Sequence, residues 1–159
     1  MINDIFQRIA VLVILLLFGV FSLSGQTSGT AFRVEEVLSG LETPWALAFL
    51  PDGAALITLK GGGLVYARGS ETTAAQGLPP IRSSGQGGLL DLALHPRFEE
   101  NGFVYFTFSE GPAGRQGTSV ARGVFTSSPS PRISEWRVIF SGNNVTGGGL
   151  HFGSRLAFG

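Results

Sequence analysis

The sequence predicts an all-β fold assembled from repeated units of about four short strands, and three observations carry that reading. Twenty-four of the 159 residues are glycine with no Gly-X-Y period, which points to many tight turns rather than long helices. Thirteen Phe, two Tyr and two Trp in that setting favour strands. A phrase of apolar strand, proline-containing turn and apolar strand recurs about 45 residues along the chain, and no stretch after residue 25 keeps a helical period over three turns.

The elements follow in order. Phe32, Val34 and, after two glutamates, Val37 predict a first short strand ahead of Ser39 and Gly40. Trp45–Phe49 predicts a strand, Pro51-Asp52-Gly53 a turn, and Ala55–Leu59 an antiparallel return. The turn has a mechanism: proline presets φ and glycine supplies positive φ. Gly61–Gly63 predicts another turn and Leu64–Ala67 the next strand. Leu89–Leu94, the turn from His95-Pro96 to Gly102, and Phe103–Phe108 then repeat the phrase, followed by strands over Ser119–Thr126 and Trp136–Phe140. Arg155–Phe158 predicts a third start.

Repeats of roughly 40–50 residues built from about four strands are the signature of β-propeller blades. Residues 26–159 thus predict about two blades and the start of a third. Propellers close with about four to eight blades, so the chain is expected to be the N-terminal part of a larger protein and inactive by itself. A complete small β-sandwich is the competing reading.

The first 25 residues predict an address. Met1–Arg8 is short and polar, Ile9–Leu23 carries no charge, and Ser22, Ser24 and Gly25 supply small residues before a polar stretch. That is the layout of a secretory signal peptide. About fifteen helical residues span roughly 22 Å, short of the ~30 Å hydrocarbon core. The expected location is periplasmic or secreted. The alternative is an uncleaved anchor in the inner membrane, facing the periplasm, which would then be the chain's one membrane contact.

Composition excludes several functions. Eleven basic and eleven acidic side chains cancel without a basic cluster, which removes any general attraction to nucleic acid. Cysteine is absent, so disulfides, thiol nucleophiles and cysteine-based zinc sites are excluded. The glycine runs at 61–63 and 147–149 lack the Lys-Ser/Thr and βαβ context of a phosphate loop, and Gly85–Gly88 is no dinucleotide fingerprint. His95 and His151, far apart in sequence, make no metal site. The sequon Asn144-Val145-Thr146 is read as chance.

Four phrases point to a specific family. Gly40–Gly53 reads GLETPWALAFLPDG, Gly85–Phe98 reads GQGGLLDLALHPRF, Thr118–Gly123 reads TSVARG, and His151–Phe158 reads HFGSRLAF. Together they resemble the glucose/sorbosone dehydrogenase family of soluble, PQQ-dependent aldose sugar dehydrogenases, over roughly residues 32–159. The resemblance implies a six-bladed propeller with PQQ and calcium in a cleft at its top, a sugar substrate and an external electron acceptor. It implies that His151 takes the proton of the sugar C1 hydroxyl while hydride passes to the quinone, and that Gln86 lies near the sugar. It places the ligands of PQQ and calcium in later blades, beyond Gly159. Leu150 stands where some members carry an acidic or amide residue that helps to hold substrate.

The residues themselves give this assignment a physical basis. A sugar hydroxyl gives up its proton only reluctantly, so hydride loss needs simultaneous proton removal by a base that is neutral at working pH, and imidazole suits that task. His151 follows Gly147–Gly149, a loop that lets backbone approach a ligand, and precedes a predicted strand. Gln86 has glycines on both sides, which frees its backbone for unusual angles. Arg155 is read as a structural anchor of the loop. Asp91, inside an apolar strand, is read as a structural hydrogen-bonding carboxylate, because a buried charge needs partners. His95 is read as a turn or packing residue. A non-catalytic propeller that binds glycan or protein partners is the second functional reading, left open by Leu150.

Overall fold

The structure, a computed structural model, describes residues 32–112, 114–143 and 147–159. The predicted signal segment and the sequon at Asn144 lie outside the described residues. The chain divides into two units, residues 1–35 and 36–159. Of the first, residues 32–35 are described; they are exposed, and Arg33 lies 3.8 Å from Glu35.

The second unit holds two four-stranded antiparallel meanders. The first sheet comprises β1 (Pro44–Phe49), β2 (Ala55–Leu59), β3 (Leu64–Arg68) and β4 (Glu71–Ala75), in that spatial order. The second comprises β5 (Leu89–Leu94), β6 (Phe103–Glu110), β7 (Gly117–Thr126) and β8 (Arg132–Ser141), again in order, with a single-turn helix α1 (Phe98–Asn101) between β5 and β6. Two consecutive four-stranded meanders packed face to face are the arrangement expected of two propeller blades. Leu50, Leu56, Leu64 and Ala75 of the first meet Leu89, Leu92, Val104, Phe106, Phe108, Ala121, Phe125 and Ile133 of the second in one core. Alternation decides which side chains enter it: along β7 every second residue is buried.

Turn chemistry acts where the sequence places it. Gly53 takes φ +81°, its N–H donates to the Leu50 carbonyl at 3.0 Å, and the Ala54 N–H donates to the Asp52 carboxylate at 3.1 Å. In the turn before β6, His95 is a turn residue by geometry. Its Nδ1 accepts the Arg97 N–H at 3.0 Å, and its ring packs against Phe103, Tyr105 and Phe158.

Two predicted strands are not strands. Phe32, Val34 and Val37 are 86%, 83% and 70% exposed and lie in irregular chain. Among the described residues no strand pairs with this stretch, and strand propensity by itself does not make a ladder. Arg155–Phe158 is also irregular, and its Leu156 N–H donates to the Asp91 carboxylate. Conversely, β4 was not predicted: four of its five residues are exposed, so Glu71–Ala75 shows no apolar alternation.

Thr58 ties the two sheets, and Thr107 makes the same kind of tie one sheet further on. In each sheet a register irregularity interrupts the innermost strand, at Pro44/Ala46 in β1 and at Leu89/Leu92 in β5. The Ala46 N–H donates to the Thr58 hydroxyl at 3.0 Å, and that hydroxyl donates to the Leu90 carbonyl of the next sheet at 2.6 Å. In the second sheet the Asp91 N–H donates to the Thr107 hydroxyl at 2.9 Å, and that hydroxyl donates to the Ser154 carbonyl at 2.9 Å. Residues 154–158 therefore dock on the second sheet as β5 docks on the first.

Candidate active site

The loop before β5 and the segment from Gly149 onward meet at one end of the second sheet. The Gln86 N–H donates to the Gly149 carbonyl at 2.8 Å, and the Gln86 side-chain oxygen accepts the His151 N–H at 2.9 Å. One residue thus holds both ends of the three-residue stretch that presents His151. The approach is possible because residue 85 is glycine: a Cβ there would stand 2.4 Å from the Gly149 carbonyl oxygen, and φ is +57°. Lys60 supports the loop from the first sheet, its Nζ donating to the Gly85 carbonyl at 2.6 Å.

His151 is exposed, with φ +64°. Among residues other than glycine, histidine is one of the few enriched in this left-handed region, and the conformation still costs energy. The next residue, Phe152, turns inward, and a Cβ on Gly87 would stand 3.0 Å from its ring. The imidazole is therefore carried on a backbone fixed on both sides of it.

Asp91 is 3% exposed and faces the same segment. Its carboxylate accepts the Leu156 N–H at 2.5 Å and lies 3.6 Å from the Arg155 guanidinium. Arg155 itself is 87% exposed, so the buried half of that pair is the carboxylate. The Trp45 indole N–H donates to the Ser154 hydroxyl at 3.2 Å. The four residues singled out in the sequence, Gln86, Asp91, His151 and Arg155, are thus brought to two adjoining stretches of chain. Thr107, which holds the Ser154 carbonyl, was not singled out. Its signal was available: Ile57-Thr58-Leu59 and Phe106-Thr107-Phe108 each place one hydroxyl between two apolar residues in a sheet's second strand.

Chemically, this arrangement offers a base with a fixed backbone, beside a carboxamide, at an open surface. Among the described residues there is no group of three or more His, Asp or Glu that could hold a metal ion. An imidazole so held can take a proton from a bound ligand.

Comparison with known proteins follows the same residues. The family described as "Glucose / Sorbosone dehydrogenase" matches residues 41–159. Aldose sugar dehydrogenase YliI of Escherichia coli (strain K12) is 39% identical over 130 residues, which cover 79% of this chain and 35% of that protein. The crystal structure of the soluble aldose sugar dehydrogenase from Escherichia coli in the apo-form is similar with a TM-score of 0.71 and 40% identity, over 77% of this chain and 37% of that one. The PQQ-bound form of the aldose sugar dehydrogenase from Streptomyces coelicolor is similar with a TM-score of 0.63 and 25% identity, over 70% of this chain and 34% of that one. The chain spans about a third of the length of the curated relatives it matches (34% and 35%).

Proposed function

The chain belongs to the glucose/sorbosone dehydrogenase family, and on that footing we propose that the whole protein oxidises the C1 hydroxyl of aldose sugars to the lactone by hydride transfer to PQQ, with His151 as general base. The single observation that supports this reading is the clamp on His151: Gln86 fixes the backbone on which an exposed imidazole is presented.

The balance of the reaction assigns His151 its task. The C1 hydrogen leaves as hydride, the hydroxyl proton goes to the imidazole, and the C1–O bond becomes the lactone carbonyl. PQQ, when bound, supplies the two-electron acceptor, and the electrons pass on to an external acceptor. Gln86 has its carboxamide oxygen engaged by the His151 N–H, so its amide nitrogen is the end assigned to the sugar. Calcium and the residues that hold it and PQQ are assigned to the two thirds of the family length that this chain does not span. For the same reason the chain alone is proposed to be inactive. Export to the periplasm or beyond rests on the uncharged run Ile9–Leu23.

The second reading, a non-catalytic propeller for glycan or protein partners, is favoured by Leu150, which stands 44% exposed immediately before the histidine. One assay separates the two. The full-length protein, loaded with PQQ and calcium, is expected to reduce an artificial dye with at least one aldose. Bound PQQ without dye reduction by any sugar in a broad panel would exclude the enzyme.

A further inference from the structure

The packing of two sheets does not account for the buried carboxylate of Asp91. The paired threonines define the equivalent of Asp91 in the first sheet. The N–H that meets Thr58 belongs to Ala46, and the N–H that meets Thr107 belongs to Asp91. The first sheet docks its neighbour with a methyl group at this position. The second sheet carries a carboxylate there, 3% exposed, and burying a carboxylate is costly unless its partners repay it. That carboxylate meets the Leu156 backbone N–H and the Arg155 guanidinium, both in the segment that begins at His151.

The spacing ties this contact to the histidine. Gln86 holds the His151 N–H and Asp91 holds the Leu156 N–H, and each bond spans 65 positions. Residues 86–91 and 151–156 therefore run side by side in one register, joined at both ends by a side-chain acceptor and a backbone donor. Thr107 adds a third tie at the Ser154 carbonyl. Gln86 and His151 are exposed, whereas the Asp91 end is anchored in the core.

We propose that Asp91 is a positioning residue for His151: it does not touch substrate, but anchors the segment whose other end presents the base. The inference rests on the reading of His151 as the general base. A displacement of about 1 Å at a reacting group lowers rates by roughly a hundredfold, so the buried end of the clamp has a catalytic consequence at five residues' distance.

The test uses the full-length protein and two substitutions. Asp91→Ala installs the residue that the first sheet tolerates at this position, and Asp91→Asn keeps an oxygen acceptor without the charge. Amide hydrogen exchange, read on the peptide covering residues 150–158 in the protein without cofactor, is expected to rise about tenfold in Asp91→Ala and to stay within about threefold of wild type in Asp91→Asn. In the PQQ-loaded protein, Asp91→Ala is expected to lower kcat by about ten- to a hundredfold with KM changed less than about threefold, and Asp91→Asn to recover most of that loss. Unchanged exchange at 150–158 in Asp91→Ala overturns the anchoring, whatever the activity. Raised exchange with unchanged kcat overturns the positioning role. A wild-type protein that oxidises no sugar while the exchange still responds to Asp91→Ala defeats the enzyme reading, and with it the catalytic role of Asp91, but leaves the anchor.

Discussion

Thr58 and Thr107 make the same pair of hydrogen bonds, one sheet apart. Each hydroxyl accepts an N–H from the innermost strand of its own sheet and donates to a carbonyl of the chain that follows. Both residues are buried, Thr58 completely. A hydroxyl is suited to this position because it is donor and acceptor at once, and a register irregularity frees the N–H it receives.

This relationship predicts a matched pair of losses. Thr58→Val keeps the shape and removes both bonds, leaving the Ala46 N–H and the Leu90 carbonyl without that partner. The expected cost is about 1–3 kcal/mol of unfolding free energy, with Thr58→Ser recovering most of it. Thr107→Val is expected to cost a similar amount and in addition to loosen residues 154–156. Denaturant unfolding of the full-length protein checks the first expectation, and hydrogen exchange checks the second.

The glycine at position 85 carries a second prediction. It has positive φ, and a Cβ would stand 2.4 Å from the Gly149 carbonyl oxygen, which belongs to the backbone and has little room to move. Gly85→Ala is expected to force the 85–88 loop away from residues 149–151, lowering sugar oxidation about a hundredfold and stability by about 1–3 kcal/mol. Gly61→Ala, where nothing lies within 4 Å of the added atom and φ is ordinary, is the control. Its activity and melting temperature are expected to match those of wild type.

What was legible in the sequence and what was not divides along physical lines. Strands bounded by turn residues, such as Trp45–Phe49 ahead of Pro51-Asp52-Gly53, announce themselves because local backbone preferences and side-chain alternation agree. β4 was hidden because an outermost strand with exposed side chains needs no apolar face. Phe32–Val37 has the composition of a strand, yet among the described residues it pairs with none. The residues of the candidate site were named by a family phrase, yet their connections were not legible. A bond from a glutamine side chain to a backbone N–H 65 positions away leaves no period in the sequence. The same holds for Asp91 and Leu156.

Asp52 gives a prediction in pH. Its carboxylate accepts the Ala54 N–H and pairs with Arg68, and these interactions, the backbone hydrogen bond foremost, hold its pKa below the ordinary value of 3.8. A carboxylate with a lowered folded pKa adds stability that is fully present above the unfolded value and is lost as pH falls through the folded one. Both partners are half exposed, so the contribution at pH 7 is expected to stay below about 1 kcal/mol. Asp52→Asn keeps an acceptor for Ala54 and loses the ion pair. Its small deficit against wild type at pH 7 is expected to shrink as pH falls below about 4, measured by urea unfolding at matched ionic strength.

His151 carries the sharpest prediction, because its backbone and its imidazole make opposite contributions to stability and activity. At φ +64° any side chain is strained by about 1 kcal/mol or more relative to glycine, and the Gln86 clamp holds the residue there. His151→Ala keeps the strain and the N–H bonded to Gln86 and removes the base. It is expected to lower kcat by about a hundred- to ten-thousandfold while PQQ binding and melting temperature stay near wild type. His151→Gly removes the base and the strain together, and is expected to be equally inactive but more stable by about 1 kcal/mol. A gain in stability that accompanies loss of turnover would mark the left-handed backbone at His151 as strain retained for function. If kcat in His151→Ala is unchanged, another group takes the proton; if His151→Gly is no more stable than His151→Ala, the backbone is not under strain.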